Sequence, residues 1–600
     1  MNTLSSLWNW LRWGSAKVTV SQPSTKTAFD ELIERLGSPT EGEPLRVAGI
    51  LDNSTLVGLS HDVALTPLHP SSWQSALIDG SFDLLLIESG ERGNANTWKH
   101  CFSRPSDGHR AELSSVLAKC RELNIPTVFW NTEVPAINED YLAIGQEFDF
   151  VFAADQTSLE KYRRELGQER VGFLPLAIQP KIHQPTVESQ RINRIGFIGS
   201  WNSPSSPERQ NRLRQVFGAV AESLDLTIFD TDLNRGGDKS QFPAEYTSKS
   251  SAKLTPKDRV ANVYQRFAAV IDVDSASGSS APFSRTMVEA AACGIPIIGT
   301  HSAALEEVFP GTLAPANDAD ELKQLIESIG SGDWEVLKRV VRGVRAAHEN
   351  HTYQHRLRTI AERVGLSPPA VSEMPLTAIC VSMRPHLVEH VASQLLRQNR
   401  RPDEVIYVCH SPDFNEQEIR EAFRDEIPLQ VFRLPDEGFL GDGLNLAVEH
   451  ATGRYLAKID DDDFYGPNYF RDALLAMKYS GAAMVGKETF FAFVESTNQL
   501  VVRFPNKHYR YRTHIAGPTF VWDGNQTRDI PFVQRRQGTD SAFQKQLVEM
   551  GLKIFATDPF NFLMIRHADQ HQHTWRVNDE EFLSKTEPVS KGLDLEWVEV

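Results

Sequence analysis

Four consecutive carboxylates, Asp460 to Asp463, are the residues of this sequence best suited to bind a cation. They follow the apolar run RYLAKI directly and precede the turn-forming sequence FYGP. Adjacent negative charges repel one another, so the cluster requires a compensating cation or solvent. Mg²⁺ and Mn²⁺ prefer oxygen ligands, and Mg²⁺ is often held by one or two carboxylates together with substrate phosphates. Because open α/β sheets bind ligands at the carboxyl ends of their strands, the cluster predicts a metal–diphosphate site. The alternative is a solvated acidic turn.

The segment around this cluster resembles a known family. The run GLNLAVEHATGRYLAKIDDDDFYGPNYF (443–470) is similar to the core of GT-A glycosyltransferases, in particular the large inverting family with one nucleotide-sugar domain. The resemblance implies that Asp460 and Asp461 contact the donor, and that Asp462 and Asp463 hold Mn²⁺ or Mg²⁺. The register of the D-x-D motif stays open among the four. Arg384, after an early strand, occupies the position where the family meets the nucleotide base.

A second acidic segment of the same region, RRQGTDSAFQKQLVEMG (535–551), resembles the catalytic segment of that family. The resemblance implies that Asp540 is the general base that deprotonates the acceptor hydroxyl. Asp is also a favoured N-cap, so capping of the following helix is the alternative role. In the GT-A fold a late histidine often completes the metal shell, which makes His567 and His573 candidate ligands.

The segment APFSRTMVEAAACGIPIIGT (281–300) resembles the donor-site helix of GT-B glycosyltransferases. Ser284 and Arg285 lie at the predicted helix start, where free N–H groups and the positive dipole end favour phosphate. Glu289, one turn later, can accept hydrogen bonds from ribose hydroxyls. Gly199 and Ser200 follow a predicted strand, at a turn where the backbone can approach a phosphate.

The first part of the chain resembles the acceptor-side domain of a bacterial glycosyltransferase group that includes the spore-maturation CgeB-like proteins. The segments LLLIESGERGNANTW (84–98) and PTVFWNTEVP (126–135) carry this resemblance. Glu88 and Glu133 follow apolar strands within them, so both are expected to face the cleft between the two GT-B domains. Either could serve as an acceptor base or ligand.

The candidate site residues must be positioned by the secondary structure around them. Apolar β-rich runs alternate with amphipathic helices along the chain, a pattern typical of parallel sheets covered by helices. The pattern predicts an α/β protein, and the resemblances imply two Rossmann-like domains (GT-B) followed by a single GT-A nucleotide-sugar-binding domain. The predicted boundaries are an N-terminal extension (1–43), the GT-B acceptor-side domain (44–180), the GT-B donor domain (181–364), a Pro-rich linker (365–374), the GT-A domain (375–585) and a C-terminal tail (586–600).

Composition narrows the function classes further. The formal net charge of −17 over 600 residues argues against nucleic-acid binding. The five scattered cysteines indicate a reducing compartment, which favours the cytoplasm. The sequence contains no apolar run long enough to span a bilayer. Trp8, Trp10 and Trp13 beside basic residues indicate either peripheral contact with the inner face of the membrane or a terminus packed on the domain.

These observations predict a bifunctional glycosyltransferase that takes nucleotide-sugar donors. Its acceptor would be an oligosaccharide or lipid-linked glycan of the cell surface or capsule, and its GT-A half would be metal-dependent and inverting. One alternative is that the GT-A half transfers a sugar phosphate or alditol phosphate in wall-polymer synthesis. Another is that the GT-B half is an inactive glycan-binding module, because the second Glu of retaining GT-B families is Ala281 here.

Overall fold

The structure is a computed structural model. It describes residues 27–39, 43–90, 93–99, 101–102, 108–133, 139–186, 192–201, 207–231, 242–247, 263–273, 283–299, 303–312, 314–315, 319–369, 373–435, 437–569 and 578–600. The N-terminal tryptophans and His573 lie outside these residues. Within these ranges, no helix has both the length and the apolar character needed to cross a bilayer.

The first domain is built on a parallel sheet. Its strands are β1 Arg46–Ile50, β2 Ala64–Pro67, β3 Leu84–Glu88, β5 Thr127–Asn131, β6 Phe150–Ala153 and β7 Val171–Phe173, and the short β4 Trp98–Lys99 lies apart from them. The strand order is β2-β1-β3-β5-β6-β7, with every pair parallel. The polar residues Glu88 and Asn131 end two neighbouring strands of this sheet, so both occupy its carboxyl edge.

The second domain repeats this architecture. Its strands are β8 Ile192–Gly199, β9 Asp225–Asp230, β10 Phe267–Asp272, β11 Ile297–Gly299 and β12 Ala314–Pro315. They form a parallel sheet in the order β12-β11-β10-β8-β9. The apolar runs of the first two domains predicted their central strands correctly, because a strand covered on both faces needs an almost continuous apolar sequence.

Helices cover both sheets. They are α1 Ala28–Ile33, α2 Asn53–Leu59, α3 Trp73–Asp79, α4 Gly108–Glu122, α5 Glu139–Gly145, α6 Gln156–Leu166, α7 Pro207–Ser223, α8 Ala244–Thr247, α9 Arg285–Ala292, α10 Ala303–Val308, α11 Ala319–Ser331, α12 Trp334–Asn350 and α13 Tyr353–Val364. The last of these returns to the first domain, where Tyr353, Leu357 and Ile360 join the core beside β1 and β3. The Rossmann-like pair is therefore closed by its own C-terminal helix.

The third domain contains two sheets. The strands of the larger one are β13 Leu376–Ser382, β14 Glu404–Cys409, β15 Leu429–Arg433, β16 Tyr455–Ile459, β18 Met484–Gly486, β21 Arg510–Arg512, β22 Val521–Asp523 and β23 Ile554–Ala556. Their order is β15-β14-β13-β16-β22-β18-β23-β21, parallel from β15 to β16 and antiparallel where β22 meets β16. The covering helices are α14 Val388–Leu396, α15 Glu416–Phe423, α16 Leu440–His450, α17 Tyr469–Ser480, α18 Gly524–Thr527, α19 Thr539–Glu549 and α20 Asp579–Leu583. This arrangement confirms the predicted α/β class and the order of its three domains.

The smaller sheet of the third domain includes residues that the sequence assigned to a tail. Its strands are β17 Phe464–Tyr465, β19 Phe490–Val494, β20 Gln499–Arg503, β24 Phe562–Arg566 and β25 Thr586–Lys591, in the order β17-β24-β19-β20-β25. Strand β25 pairs antiparallel with β20, and Val598 is buried in the same core. The structure therefore differs from the predicted boundary at 585, because alternating polar residues in an edge strand look like a tail in sequence.

Helix α12 belongs to two cores at once. Its residues Val340, Val341 and Val344 join the core of the third domain, whereas Ala347 packs in the core of the second. Beside them, Arg345 donates to both carboxylate oxygens of Asp472 at 2.7 and 2.8 Å, and both side chains are buried. The GT-B and GT-A parts are therefore packed against each other through this helix.

We expect the substitution R345A to destabilise the protein by about 3–5 kcal/mol, because it leaves the Asp472 carboxylate buried without its cation. Urea unfolding of the full chain measures this change. The matched control is R358A, which removes an exposed partner of Glu362 on α13 and is expected to cost less than about 0.5 kcal/mol. Equal unfolding midpoints for the two variants would contradict the role of this contact.

Candidate active sites

The carboxylate cluster lies at the carboxyl ends of two central strands. Strands β13 and β16 pair in parallel, and they end at Ser382 and Ile459. The Ser382 hydroxyl donates to Asp461 Oδ2 at 2.5 Å, which ties the two strand ends together. Two parallel strands thus bring residues almost 80 positions apart to the same edge, as the strand pattern predicted.

Arg384 joins this cluster. Its Nη1 lies 3.1 Å from Asp461 Oδ1 and 2.5 Å from Asp462 Oδ2. The Ser382 hydroxyl in turn accepts a hydrogen bond from the Arg384 amide at 3.0 Å. The structure therefore brings Arg384 to the donor end of the sheet, and it gives the guanidinium two carboxylate partners that the sequence did not indicate.

Asp463, the last carboxylate of the cluster, contacts the smaller sheet. It is buried, and its Oδ1 accepts a hydrogen bond from the Ile565 amide of β24 at 3.1 Å. Burial, together with the neighbouring Asp462, raises the pKa of Asp463 well above its usual range. This contact joins the larger sheet to the smaller one, and the role of Asp463 as a metal ligand stays a prediction.

A buried lysine connects the cluster to the predicted base. Lys458 Nζ lies 2.5 Å from Asp460 Oδ1 and 3.4 Å from Asp540 Oδ2. Burial raises the pKa of Asp460 to about 6, although the lysine opposes this shift. The structure therefore brings Asp460 and Asp540 together, as the resemblance implied, around a cation that the resemblance did not include.

Asp540 lies in the first turn of α19 but does not cap it. The N-cap is Gly538, and no side chain accepts a capping hydrogen bond there. Asp540 Oδ1 is buried without a hydrogen-bond partner, while Oδ2 faces Lys458. A Cβ atom on Gly517 would lie only 2.0 Å from Asp540 Oδ2, so this glycine makes room for the carboxylate. The side chain is therefore held at Oδ2, while Oδ1 has no hydrogen-bond partner within the protein.

The donor atoms of the cluster fit a divalent cation. Carboxylates outnumber the cations Lys458 and Arg384 here, and all the available ligand atoms are oxygens, which Mg²⁺ and Mn²⁺ prefer. Among the residues that the structure describes, no three His, Cys, Asp or Glu side chains are grouped as metal ligands. His567 Nδ1 lies 3.1 Å from Glu495 Oε1, and His573 lies outside the described residues.

The predicted GT-B donor residues lie around the N-terminus of α9. Ser284 caps this helix by accepting from the Met287 amide at 3.0 Å, and its hydroxyl donates to Asp272 Oδ2. Arg285 reaches across to the first domain, where its Nη2 lies 3.2 Å from Glu88 Oε1. This ion pair brings a predicted donor residue and a predicted acceptor residue together in the cleft between the two GT-B domains.

Glu88 and Glu289 are both buried and already hydrogen-bonded. Glu289 Oε2 accepts from the Tyr264 hydroxyl at 2.6 Å, and its Oε1 lies 3.9 Å from Arg285 Nη1. Glu88 Oε2 accepts from the Asp52 amide at 3.0 Å. Burial raises the pKa of Glu88, and Arg285 opposes this shift. The cleft therefore contains a charged network between the domains.

Three other predicted positions of the GT-B part have less distinctive surroundings. Gly199 ends β8 opposite Asp230, and Ser200 is buried directly after it. Glu133 follows β5 and is exposed, with its backbone amide donating to Ser89 Oγ at 3.3 Å. Each position lies at a carboxyl strand end as predicted, and its role stays a prediction.

Comparison with known proteins identifies the domain classes. Residues 212–362 match the family model described as glycosyl transferase-like, and residues 378–535 match that of glycosyl transferase family 2. No curated protein matches the chain in sequence. These matches show a glycosyl transferase-like domain followed by a glycosyl transferase family 2 domain. They agree with the predicted resemblance and with the observed order of the sheets.

Solved structures show weaker similarity. S. aureus TarS 1-349 is 16% identical, with 32% of this chain and 60% of that chain covered and a TM-score of 0.26. Its complex with UDP-GlcNAc gives 18% identity, coverage of 35% and 64%, and a TM-score of 0.27. The mannosyltransferase PcManGT from Pyrobaculum calidifontis, in complex with GDP-Man and Mn²⁺, is 16% identical. The match covers 40% of this chain and 68% of that chain, with a TM-score of 0.27. The chain thus spans about 60% of the length of TarS 1-349.

Sequence reasoning missed three residues that shape these sites: Lys458, Gly517 and Tyr264. Lysine is almost never fully buried without a partner, so a lysine inside the apolar strand YLAKI was a usable signal. Gly517 and Tyr264 carried no comparable signal, because their roles depend on contacts with Asp540 and Glu289 that are distant in sequence.

The substitution G517A tests whether Asp540 requires the space that Gly517 leaves. The added Cβ would displace the carboxylate, and a misplacement of about 1 Å can lower a rate about 100-fold. We expect glycosyl transfer by the GT-A domain to fall by about this factor while thermal stability changes little.

The control is G218A on α7, where a Cβ would meet no atom within 4 Å. We expect G218A to keep the wild-type transfer rate. Wild-type transfer by G517A would show that the position of Asp540 is not critical.

Proposed function

We propose that this chain is a bifunctional glycosyltransferase that takes sugars from nucleoside-diphosphate donors. Its acceptor is a growing cell-surface or capsular glycan, either a free oligosaccharide or lipid-linked. The protein acts in the cytoplasm, and the five cysteines, all buried and none of them in a disulfide, support a reducing compartment. Two transferase domains packed through α12 support consecutive additions to one acceptor.

One observation carries the proposal for the GT-A domain. Asp460 and Asp540 come from segments far apart in sequence, and both contact the ammonium group of Lys458 at the carboxyl end of the central strands. One carboxylate belongs to the cluster suited to a donor diphosphate. The other presents a buried, unpartnered oxygen beside it. This juxtaposition is what a transfer between donor and acceptor requires.

The proposed reaction is a single displacement. Asp540 Oδ1 accepts the proton of the acceptor hydroxyl while the hydroxyl oxygen bonds to the anomeric carbon. The bond from the anomeric carbon to the phosphate oxygen breaks, and the nucleoside diphosphate leaves with that electron pair. Because attack occurs opposite the leaving group, the configuration inverts.

The leaving diphosphate carries negative charge into a site that is already acidic. We propose that Asp462, with Asp461 or Asp463, would hold Mn²⁺ or Mg²⁺, which when bound stabilises the departing diphosphate. Arg384, beside Asp461 and Asp462, adds a fixed positive charge at the same strand end. His567 and His573 stay candidate ligands from the resemblance alone.

The variants D540N and D462N separate the two roles in the full chain. We expect D540N to lower transfer by about 10²–10⁴-fold, the usual contribution of a general base, while nucleotide binding persists. We expect D462N to lose Mn²⁺-dependent nucleotide binding in calorimetry. A panel of nucleotide sugars with and without Mn²⁺, followed by diphosphate release, identifies the donor.

The control for both is D529N, which makes the same change at an exposed position of the same domain and should behave as the wild type. Full transfer by D540N would contradict the proposed base. A product that contains phosphate would instead support transfer of a sugar phosphate or alditol phosphate.

The contacts of Arg285 favour a second candidate for the GT-B part, a glycan-binding module without transferase activity. The guanidinium predicted to meet a phosphate faces Glu88, and Glu289 is bonded to Tyr264. A donor would therefore have to replace these contacts. Such a module would present the acceptor to the GT-A domain.

The substitution E289A decides between these candidates. If the GT-B domain transfers a sugar, E289A removes one of the two additions from the product, which is the result we expect. The control E307A changes an exposed glutamate of the same domain and should leave both additions intact. An unchanged glycan product in E289A, with only the acceptor KM raised, would establish the glycan-binding module.

A further inference from the structure

Lys458 is a buried cation inside a central strand of the GT-A domain. It lies in β16, all of whose residues are buried, and its own side chain is 3% exposed. A lysine is buried in this way only where anions compensate its lost hydration. Here the compensating groups are Asp460 and Asp540.

The two carboxylates approach the ammonium group from different segments. Asp460 follows the same strand, and its backbone amide donates to the Tyr465 hydroxyl at 2.9 Å, which fixes this turn. Asp540 comes from α19, and Gly517 leaves the space that it occupies. Lys458 therefore joins the donor side of the site to the acceptor side.

The contact with Asp540 is selective for one oxygen. Lys458 lies near Oδ2, whereas Oδ1 is buried without a hydrogen-bond partner. A carboxylate held at one oxygen has its other oxygen directed to a defined position.

We propose that Lys458 is a positioning residue that holds Asp540 Oδ2 and Asp460 Oδ1 together and so directs Asp540 Oδ1 at the acceptor hydroxyl. This inference rests on the proposed function of the GT-A domain. It predicts that the lysine contributes to transfer only through the base.

A double-mutant cycle in the full chain tests this dependence. We expect K458M to lower kcat about 100-fold with the acceptor KM within about 3-fold of wild type, since a displaced base slows the chemical step. In the D540N background, K458M should change the remaining rate by less than about 2-fold, because residues that act as a unit are not additive. Substitution by arginine, K458R, keeps the charge and should recover at least about 10-fold of the K458M loss.

The matched control is K487M. Lys487 is the same residue type, equally buried in the same domain, and it pairs with Asp558 at 3.2 Å away from the carboxylate cluster. Its loss should lower the melting temperature without changing kcat per folded enzyme. If K458M does not fold, the cycle is run with K458R. The larger guanidinium group should still lower kcat about 10-fold in the wild-type background, and K458R should have no effect on kcat in the D540N background.

The outcomes separate this inference from the proposed function. If D540N transfers at the wild-type rate, the proposed base is wrong and the inference falls with it. If D540N lowers the rate as expected but K458M lowers it by the same further factor in the D540N background as in the wild type, the proposed base stands and the role of Lys458 is overturned. The same holds if K458M behaves like K487M, with a lower melting temperature and an unchanged kcat.

Discussion

The carboxylates at the end of β16 repel one another, and the structure around them is arranged to compensate that repulsion. Lys458 and Arg384 supply positive charge from within the protein, and Asp463 accepts a backbone hydrogen bond. The compensation is incomplete, because acidic groups still outnumber basic ones at this strand end. A divalent cation would neutralise the remaining negative charge and would in turn bind the diphosphate.

Helix α12 makes the two enzyme parts interdependent. Its valines complete the GT-A core while its other residues pack in the GT-B donor domain. A chain divided at the Pro-rich linker would expose this apolar face, together with the buried pair of Arg345 and Asp472. The two proposed activities are therefore best tested in the intact chain.

The sequence predicted the parallel strands well, because runs such as LTAICVSM and EVIYVCH are apolar enough to be buried on both faces. It also predicted which polar residues follow those strands. It did not predict the short strands of the smaller sheet, such as β25, whose pattern TEPVSK is largely polar. Nor did it predict that Arg384 and Lys458 would each bridge two carboxylates. Such pairings depend on the register of distant segments, which composition and periodicity do not contain.

The central claim is that the carboxylate cluster binds a metal-linked diphosphate beside Asp540. Anomalous diffraction from crystals of the full chain grown with Mn²⁺ and a nucleoside diphosphate tests it most directly. The account predicts an anomalous peak next to Asp462, in contact with the diphosphate, on the side of the cluster that faces Asp540. A manganese ion and nucleotide bound elsewhere, with Arg384 and Lys458 still paired to empty carboxylates, would contradict it.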